Sequence, residues 1–297
     1  MIKNFISKMS DVELVMDANL RRYNTYRLEI IAKYLVFPNT KEEFRDILKF
    51  LVQKNIKYVV LGNGSNVIFR DEYFDGVVIL LNKLNKMKID DDLITVDAGY
   101  SLQKLALEVS SLGLEGLEFA TGIPGLVGAS IAMNAGAYKN SLSEVVDSVL
   151  VINDKFEFVV MKNDELDFKY RSSFFKNNKG YYVVSAKIKL NKGNKSELLE
   201  KISKRRVKRI ETQPLDMPSA GSVFRNPENM YAGELIEKSG LKGYSVNDAK
   251  ISEKHANFIV NNGKARGIDI IRLVDKVKET IKEEYGVELV MEQIIID

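Results

Sequence analysis

A charge-free, glycine-rich run at residues 119–138 constrains this chain more than any other feature. Charged residues make up 29% of the sequence, yet none occurs in this run. Its glycines permit positive φ angles and the close approach of another group, and its proline fixes one bend. The residues concerned are Gly122, Gly125, Gly128, Gly136 and Pro124. The run is therefore predicted to be neither an ordinary strand nor an ordinary helix, and its bare N–H groups suit phosphate or a large flat cofactor.

Two other interpretations apply to the same run. It is long enough for a membrane span, which needs about 20 predominantly apolar residues, but its glycines, proline and polar residues argue against insertion. A tightly packed structural turn that binds nothing is the alternative that this segment alone leaves open.

Composition limits the chemistry that is possible. A chain of 297 residues predicts about two domains, and 44 basic against 41 acidic side chains leave no global field that attracts nucleic acid. Cysteine is absent, which excludes disulfides and thiolate chemistry and fits a reducing, cytoplasmic location. His255 is the only histidine, so paired-histidine zinc sites are excluded and no metal site is expected. The N-terminus lacks an apolar core long enough for a signal peptide.

Hydrophobic spacing predicts the secondary structure. Helices are expected after a capping box of Thr40 and Glu43, after the capping residue Ser101, and over 196–211, 231–239 and 268–285. The helix after Ser101 is expected to bury Leu102, Leu105, Ala106 and Val109. Strands are expected over 57–61, 77–81, 93–96, 145–152, 157–161, 181–190 and 287–296, and the pair 145–152 and 157–161 is expected to form a hairpin. These elements mix without strict βαβ alternation, which predicts an α+β fold. Clustered proline and glycine place a domain boundary near 191–215.

A second glycine-rich segment, Leu61–Asn66, directly follows a predicted strand, as a phosphate-binding loop does. It is not a dinucleotide fingerprint, because Val67 occupies the third glycine position, and it is not a P-loop, because no lysine follows. A plain β-turn is the alternative for this segment by itself. Two such segments together favour a large anionic cofactor.

Three further motifs carry polar chemistry. Arg171, between aromatic and hydroxyl residues, suits planar contact with a carboxylate or a developing enolate, although a surface ion pair is the simpler interpretation. Ser222 lies in a proline-bounded loop and could donate a proton to a basic carbanion, or simply bond its own backbone in a turn. The basic run Lys201–Arg209 is most simply a solvated helix face, with contact to a nucleotide pyrophosphate as the functional alternative.

In their order along the chain, these motifs resemble those of the UDP-N-acetylenolpyruvoylglucosamine reductase family, flavoenzymes of peptidoglycan precursor synthesis. The resemblance runs from about Asn24 to Glu292, and its most specific part is Gly116–Gly128 with Met133–Ala137. The other matching segments are Asn24–Arg27, Leu61–Asn66, Tyr170–Ser173, Pro218–Pro227, Gly240–Gly243 and Ser252–Phe258. The chain looks similar to the shorter subgroup of these reductases.

The resemblance implies an FAD-binding domain of the vanillyl-alcohol-oxidase (PCMH) type, made of two α+β subdomains, and a smaller C-terminal α+β substrate domain. The implied boundaries are 1–23 for an N-terminal segment, 24–191 for the FAD-binding domain, 192–213 for a basic helical connector and 214–297 for the substrate domain. FAD is expected to be non-covalent, because cysteine is absent and the only histidine lies in the C-terminal part.

The same resemblance implies the reaction and its participants. NADPH reduces FAD, and the reduced flavin then reduces UDP-N-acetylglucosamine enolpyruvate to UDP-N-acetylmuramate. The implied cofactor-binding residues are Gly62, Asn63, Gly64, Ser65, Asn66, Gly122, Ile123, Pro124, Gly125, Gly128, Ala129, Asn134 and Gly136. No nucleic acid, membrane insertion or obligate protein partner is expected.

Catalytic roles follow from the resemblance as well. Arg171 would stabilise the enolate, Ser222 would protonate the α-carbon, and Glu292 would complete the site. The implied substrate contacts are Tyr170, Arg225 and Asn226. Three alternatives stay open from the sequence: another FAD oxidoreductase of this fold that uses oxygen, a flavin-binding protein without turnover, and a nucleic-acid binder that uses the basic run.

Overall fold

The structure is a computed structural model that describes residues 1–9 and 11–297. The helices are α1 (Ile2–Ile6), α2 (Lys41–Gln53), α3 (Leu102–Ser111), α4 (Val127–Ala132), α5 (Phe174–Asn177), α6 (Lys195–Thr212), α7 (Ala232–Lys238) and α8 (Gly267–Tyr285). Short 3₁₀ helices occur at Arg21–Tyr23, Glu118–Gly122, Leu142–Glu144 and Asn163–Leu166.

Short strands precede, follow and separate these helices without regular alternation. They are β1 (Glu13–Asn19), β2 (Ile31–Phe37), β3 (Tyr58–Leu61), β4 (Val67–Phe69), β5 (Tyr73–Leu80), β6 (Met87–Asp90), β7 (Leu93–Asp97), β8 (Leu114–Glu115), β9 (Gly136–Ala137), β10 (Asn140–Ser141), β11 (Val146–Ile152), β12 (Phe158–Lys162), β13 (Tyr182–Lys189), β14 (Asn191–Lys192), β15 (Ser245–Val246), β16 (Ala249–Ile251), β17 (Ile259–Asn261) and β18 (Ile294–Ile296).

The chain forms two compact units. The first contains Met1–Met16, Tyr34–Gly62 and Gly76–Arg206, and the second contains Asp17–Lys33, Asn63–Asp75 and Val207–Asp297. Both units mix helices with strands, so the predicted α+β fold is confirmed.

The larger sheet of the first unit has the strand order β12-β11-β13-β7-β6, with antiparallel neighbours throughout. The predicted hairpin is confirmed as β11 and β12. Helix α3 contributes its apolar face to the core beside this sheet, and Ser101 caps it by accepting a hydrogen bond from Lys104 N at 3.3 Å. Leu102, Leu105, Ala106 and Val109 are the buried residues that the helical spacing predicted.

A second core of the first unit forms around helix α2. Thr40 and Glu43 make the predicted capping box, in which each side chain accepts a hydrogen bond from the other residue's backbone N–H. The apolar face of α2 lies in one cluster with Val77 and Ile79 of β5, and β5 pairs in parallel with β3. Strand β3 ends at Leu61, so its carboxyl end delivers the chain directly to Gly62.

The second unit is built around helix α8 and the antiparallel sheet β15-β16-β17. The predicted helix at 268–285 is confirmed, and its buried residues recur with helical period along one face. Strand β18 pairs in parallel with β4, joining Ile294–Ile296 to Val67–Phe69.

The predicted final strand at 287–296 is wrong in length, because only Ile294–Ile296 is a strand. Residues just before it pair with an irregular loop instead: Arg225 N donates to Val290 O at 2.9 Å, and Glu292 N donates to Val223 O at 2.8 Å. Since the partner is a loop with only an isolated bridge from Phe224 to Met291, no continuous ladder forms there.

Candidate functional site

The glycine-rich run departs from its prediction in two ways. It contains helix α4, although no helix was expected, and none of its four glycines has a positive φ. Three of these glycines are needed for close packing instead. A Cβ on Gly128 would lie 2.6 Å from Ala98 Cβ, one on Gly125 would lie 2.6 Å from Ser130 Oγ, and one on Gly136 would overlap Asn140 O.

Backbone hydrogen bonds fasten this run to the segment that follows β7. Val127 N donates to Tyr100 O and Gly128 N donates to Ala98 O, both at 2.9 Å. In return, Leu102 N donates to Gly125 O at 2.9 Å. The run is therefore held through its main chain, and its position depends on the absence of side chains.

An ion pair holds the residues just before the run. Glu118, only 3% exposed, accepts from Lys201 Nζ at 2.7 Å and from Gly116 N at 2.6 Å. Burial raises the pKa of the Glu118 carboxyl, but the hydrogen bonds from Lys201 and the backbone outweigh burial and hold the pKa below its usual value. Lys201, the first cation of the basic run, thus has a structural contact.

The loop after β3 has a conformation that only glycine adopts readily at its centre. Gly64 has a φ of +60°, and a Cβ there would overlap Tyr23 O. The loop uses its carbonyls for protein contacts: Gly64 O accepts from Thr25 N at 3.2 Å, and Asn66 O accepts from Ile294 N at 2.9 Å. Within the described residues of the second unit, the N–H groups of Asn63–Asn66 meet no acceptor, which leaves them available to an anion.

A cleft of about 230 Å³ opens in the first unit at the carboxyl end of β3. Small residues make one part of its wall and aromatic residues another. The lining residues are Val60, Leu61, Gly62, Leu81, Ala98, Leu126, Gly128, Ala129, Ala132, Phe175, Tyr181, Tyr182 and Val183. A Cβ on Gly62 would lie 2.9 Å from Ala129 Cβ, so larger side chains would fill the space that the small ones leave.

This wall fits part of a flavin dinucleotide. Its apolar and aromatic surface suits a flat ring system, and the small residues of the neighbouring run allow another group to approach the backbone closely. Tyr182 presents a neutral phenol, because burial raises its pKa well above the ordinary value, and its hydroxyl lies 2.9 Å from the Tyr58 hydroxyl.

Arg171 stands at the tip of a tight turn in the first unit. Lys169 and Ser172 exchange both of their backbone hydrogen bonds, at 3.0 and 3.1 Å, and Arg171 has a φ of +53°. Its guanidinium donates from Nη2 to Gly136 O at 2.7 Å and lies 5.2 Å from the centre of the Tyr170 ring. The structure therefore brings Arg171 together with the glycine-rich run.

Two buried polar side chains join the same turn to the run. Asn134, 4% exposed, donates from Nδ2 to Lys169 O and accepts at Oδ1 from Ser143 N, both at 3.0 Å. Ser173 Oγ donates to Ala132 O at 2.7 Å. The cofactor contact expected of Asn134 stays a prediction, because these protein contacts already engage both ends of its carboxamide.

The loop that carries Ser222 is held by carboxamides in the second unit. Asn257, 4% exposed, accepts at Oδ1 from Phe224 N at 2.9 Å and donates from Nδ2 to Phe224 O at 2.8 Å. Gln293 donates from Nε2 to Ala220 O at 3.0 Å and Gly221 O at 3.3 Å. The sequence assigned no role to either carboxamide, although Asn257 lies within the matching segment Ser252–Phe258 and Gln293 directly follows Glu292.

Backbone pairing brings Glu292 beside the Ser222 loop, through the bond from Glu292 N to Val223 O. Asn226 Oδ1 accepts from Ala232 N at 3.1 Å and so satisfies the first turn of α7. His255 Nδ1 accepts from Asn257 N at 3.2 Å, which occupies this nitrogen of the only imidazole. Ser222, Glu292 and Arg225 thus belong to the second unit, whereas Arg171 and Tyr170 belong to the first.

No helix among the described residues is both long and apolar enough to cross a membrane. The same residues contain no group of three or more acidic or histidine side chains placed to hold a metal ion.

Two protein-family models match separate parts of the chain. Residues 32–160 match the FAD binding domain family, and residues 213–296 match the C-terminal domain of UDP-N-acetylenolpyruvoylglucosamine reductase. A reductase of that name from Clostridium tetani is 39% identical over 295 residues, which cover 99% of this chain and 96% of the relative. The one from Anoxybacillus flavithermus is 41% identical over 275 residues, 92% of this chain and 91% of the relative.

A solved structure agrees with these matches. The crystal structure of the UDP-N-acetylenolpyruvylglucosamine reductase of Thermus caldophilus superposes with a TM-score of 0.82 at 35% identity. The match covers 96% of this chain and 99% of that one.

Proposed function

Because the chain belongs to the UDP-N-acetylenolpyruvoylglucosamine reductase family, we infer that it reduces UDP-N-acetylglucosamine enolpyruvate to UDP-N-acetylmuramate. This reaction is a step of peptidoglycan precursor synthesis, and the protein is an FAD oxidoreductase with NADPH as co-substrate. The observation that carries the inference is the match to the Clostridium tetani reductase over 99% of the chain.

When bound, FAD transfers reducing equivalents from NADPH to the enolpyruvyl group. We propose that it is held without a covalent bond by main-chain groups of the two glycine-rich segments and by the small residues of the cleft. The residues proposed for this are Gly62, Asn63, Gly64, Ser65, Asn66, Gly122, Ile123, Pro124, Gly125, Gly128, Ala129, Asn134 and Gly136. The available N–H groups of Asn63–Asn66 and the bare cleft wall support the proposal.

Arg171 is proposed to stabilise the negative charge that develops on the substrate carboxylate and α-carbon during reduction. A guanidinium binds a planar carboxylate with two parallel hydrogen bonds, and such stabilisation is worth on the order of 10²–10³ in rate. The turn that carries Arg171 and its bond to Gly136 O support this role, because they preorganise the charge. Tyr170 is proposed as a substrate contact on the same turn.

Ser222 is proposed to give its hydroxyl proton to the α-carbon, and Glu292 to complete the site beside it. A serine hydroxyl is a weak acid, so this step requires a strongly basic carbon and a fixed geometry. The buried carboxamides that bond the Ser222 loop on both sides support the assignment. Arg225 and Asn226, from the same loop, are proposed as substrate contacts.

We also propose domain boundaries and a location. The FAD-binding domain would span 24–191, after an N-terminal segment at 1–23. The connector would span 192–213, and the substrate domain 214–297. The absence of cysteine supports a reducing, cytoplasmic location.

Stopped-flow measurement of the two half-reactions tests the role of Ser222. In Ser222→Ala, bleaching of the flavin by NADPH should be kept, whereas reoxidation by the enolpyruvyl sugar nucleotide should slow by roughly 10²–10⁴. Ser219→Ala changes a serine of the same loop and should leave both rates as they are. An unchanged second half-reaction in Ser222→Ala would rule out its role as proton donor.

The same assay separates catalysis from flavin binding at Arg171. Arg171→Ala should retain FAD and slow reoxidation by about 10²–10³, because the developing negative charge loses its partner. Arg171→Lys should recover part of the rate, since it keeps the charge without the planar two-pronged contact. If Arg171→Ala is purified without FAD, the proposed role is wrong and the residue serves flavin binding. Colourless unaltered protein would contradict the enzyme function itself.

A further inference from the structure

The carboxamide of Gln293 lies inside the second unit between a phenol and two main-chain carbonyls. Gln293 is 4% exposed and Tyr26 is fully buried. Tyr26 Oη and Gln293 Oε1 are 3.0 Å apart, and Gln293 Nε2 donates to Ala220 O at 3.0 Å and to Gly221 O at 3.3 Å. A side chain 72 residues away from Gly221 therefore holds the two peptide groups that precede Ser222.

The chemistry of these groups allows only one orientation of the carboxamide. Carbonyl oxygens accept hydrogen bonds only, so the nitrogen of Gln293 must face Ala220 and Gly221. Its oxygen must then face Tyr26, whose phenol is the donor. Burial raises the pKa of Tyr26 far above its usual value, so the phenol keeps its proton throughout the physiological range.

The same residue connects the Ser222 loop to Glu292. Glu292, its direct neighbour in the chain, donates from its backbone N to Val223 O at 2.8 Å. The segment 292–293 thus bonds the loop on both sides of Ser222: its main chain reaches Val223, and its side chain reaches Ala220 and Gly221. Fixing the peptides on both sides restricts the backbone rotations that would displace Ser222 as a whole.

We propose that Gln293, oriented by Tyr26, is a positioning residue that holds Ser222 where its hydroxyl can deliver a proton to the substrate. The proposal rests on the proton-donor role of Ser222 in the proposed reductase reaction. Gln293 itself touches neither substrate nor cofactor in this role. Its effect is confined to the second half-reaction, because reduction of the flavin by NADPH needs no proton from Ser222.

Two variants remove the interaction in different degrees. Gln293→Leu leaves two carbonyls and one phenol without partners and should slow flavin reoxidation by the enolpyruvyl sugar nucleotide about 10- to 100-fold. Tyr26→Phe removes only the bond that orients the carboxamide and should slow it by about 3- to 10-fold. Flavin reduction by NADPH and FAD content should change less than about twofold in both variants.

A third variant gives a readout that loss of stability alone would not produce. In Gln293→Glu, a protonated carboxyl can still donate to one carbonyl and accept from Tyr26, whereas an ionised carboxylate faces two carbonyl oxygens with no donor. Burial raises the pKa of such a carboxyl. Reoxidation by Gln293→Glu, relative to the unaltered chain, should therefore recover as the pH falls from about 8 to about 6.

Val277→Ala is the matched control for stability, because it truncates a buried side chain of α8 in the same unit. This side chain makes no hydrogen bond to the Ser222 loop. The substitution should lower the melting temperature and leave both half-reactions intact. The proposal is overturned if Gln293→Leu reoxidises its flavin as fast as this control, or if Gln293→Glu shows no recovery at low pH. If the unaltered chain does not react with UDP-N-acetylglucosamine enolpyruvate, the proposed function fails first, and the positioning role fails with it.

Discussion

The glycine-rich run and the Ser222 loop are both irregular segments held in a fixed place, but different forces hold them. The run packs by contact: Gly128 lies so close to Ala98 that even one added carbon would overlap it. The loop also has main-chain bonds, such as the one from Val223 N to Asn257 O, but polar side chains bond the peptides on either side of Ser222. These side chains are Asn257 and Gln293. The place of the glycine-rich run depends on the absence of side chains, whereas that of the Ser222 loop depends on side chains from distant parts of the sequence.

The difference follows from what each segment is proposed to present, which is backbone to the cofactor in the run and one hydroxyl in the loop. A segment that offers backbone to a cofactor must stay bare, so close packing and main-chain hydrogen bonds are the means left to position it. A segment that offers one hydroxyl needs a fixed orientation of that side chain, and directional hydrogen bonds supply it. The two segments should therefore respond to opposite kinds of substitution.

The largest effect is expected from adding volume to the run. Gly128→Val should destabilise the first unit by about 3 kcal/mol or more and release FAD, because the new carbons overlap Ala98 and crowd Val183 O, which would lie only 3.3 Å from the first of them. The free energy of unfolding and the flavin content measure this.

A compensating change sharpens that test. Ala98→Gly in the background of Gly128→Ala removes the 2.6 Å contact between the two Cβ atoms and should restore part of the lost stability. If the double variant is no more stable than Gly128→Ala, close contact is not what makes glycine necessary at this position.

A smaller effect is expected from removing a carboxamide at the loop. Asn257→Leu keeps the branched shape of the side chain but leaves Phe224 N and O unpaired, and it should destabilise the second unit by about 2–3 kcal/mol and slow flavin reoxidation. Asn262→Leu replaces a neighbouring exposed asparagine and serves as the control. Thermal unfolding and the half-reaction assay measure both variants. Equal stability and equal rates in Asn257→Leu and Asn262→Leu would show that the Asn257 carboxamide does not hold the loop.

The smallest effect is a pH dependence next to the loop. Burial lowers the pKa of His255 below its usual 6.5, and its neutral Nδ1 accepts from Asn257 N. Below about pH 6.5 the His255 imidazole binds a proton in the unfolded chain but stays neutral in the folded chain. The stability that this residue contributes above that pH is therefore lost as the pH falls towards its pKa in the folded chain.

His255→Asn provides the control for this effect, because its side-chain oxygen can accept from Asn257 N and does not titrate. Its melting temperature, followed from about pH 8 to about pH 5, should decline less than that of the unaltered chain. Parallel curves for the two proteins would show that His255 does not contribute.

Local signals were sufficient for some of the regular elements and for the family, although strands such as β1 and β2 were not predicted. Thr40 and Glu43 predicted the start of α2, and apolar residues at helical spacing predicted α8 up to Gly286. The motifs matched in order along the chain, which identified an FAD-binding α+β fold before any contact was known. These features depend on residues near one another in sequence, so a single sequence contains them.

The places of the irregular segments depend on contacts between residues far apart in sequence. Helix α4 lies inside the glycine-rich run, where main-chain bonds and the close contact with Ala98 support it. The segment before β18 is no strand, because its partner is a loop. Asn257 and Gln293 meet the Ser222 loop from 33 and 72 residues away. Packing and hydrogen bonding act between neighbours in space, and only the fold determines which distant residues become neighbours.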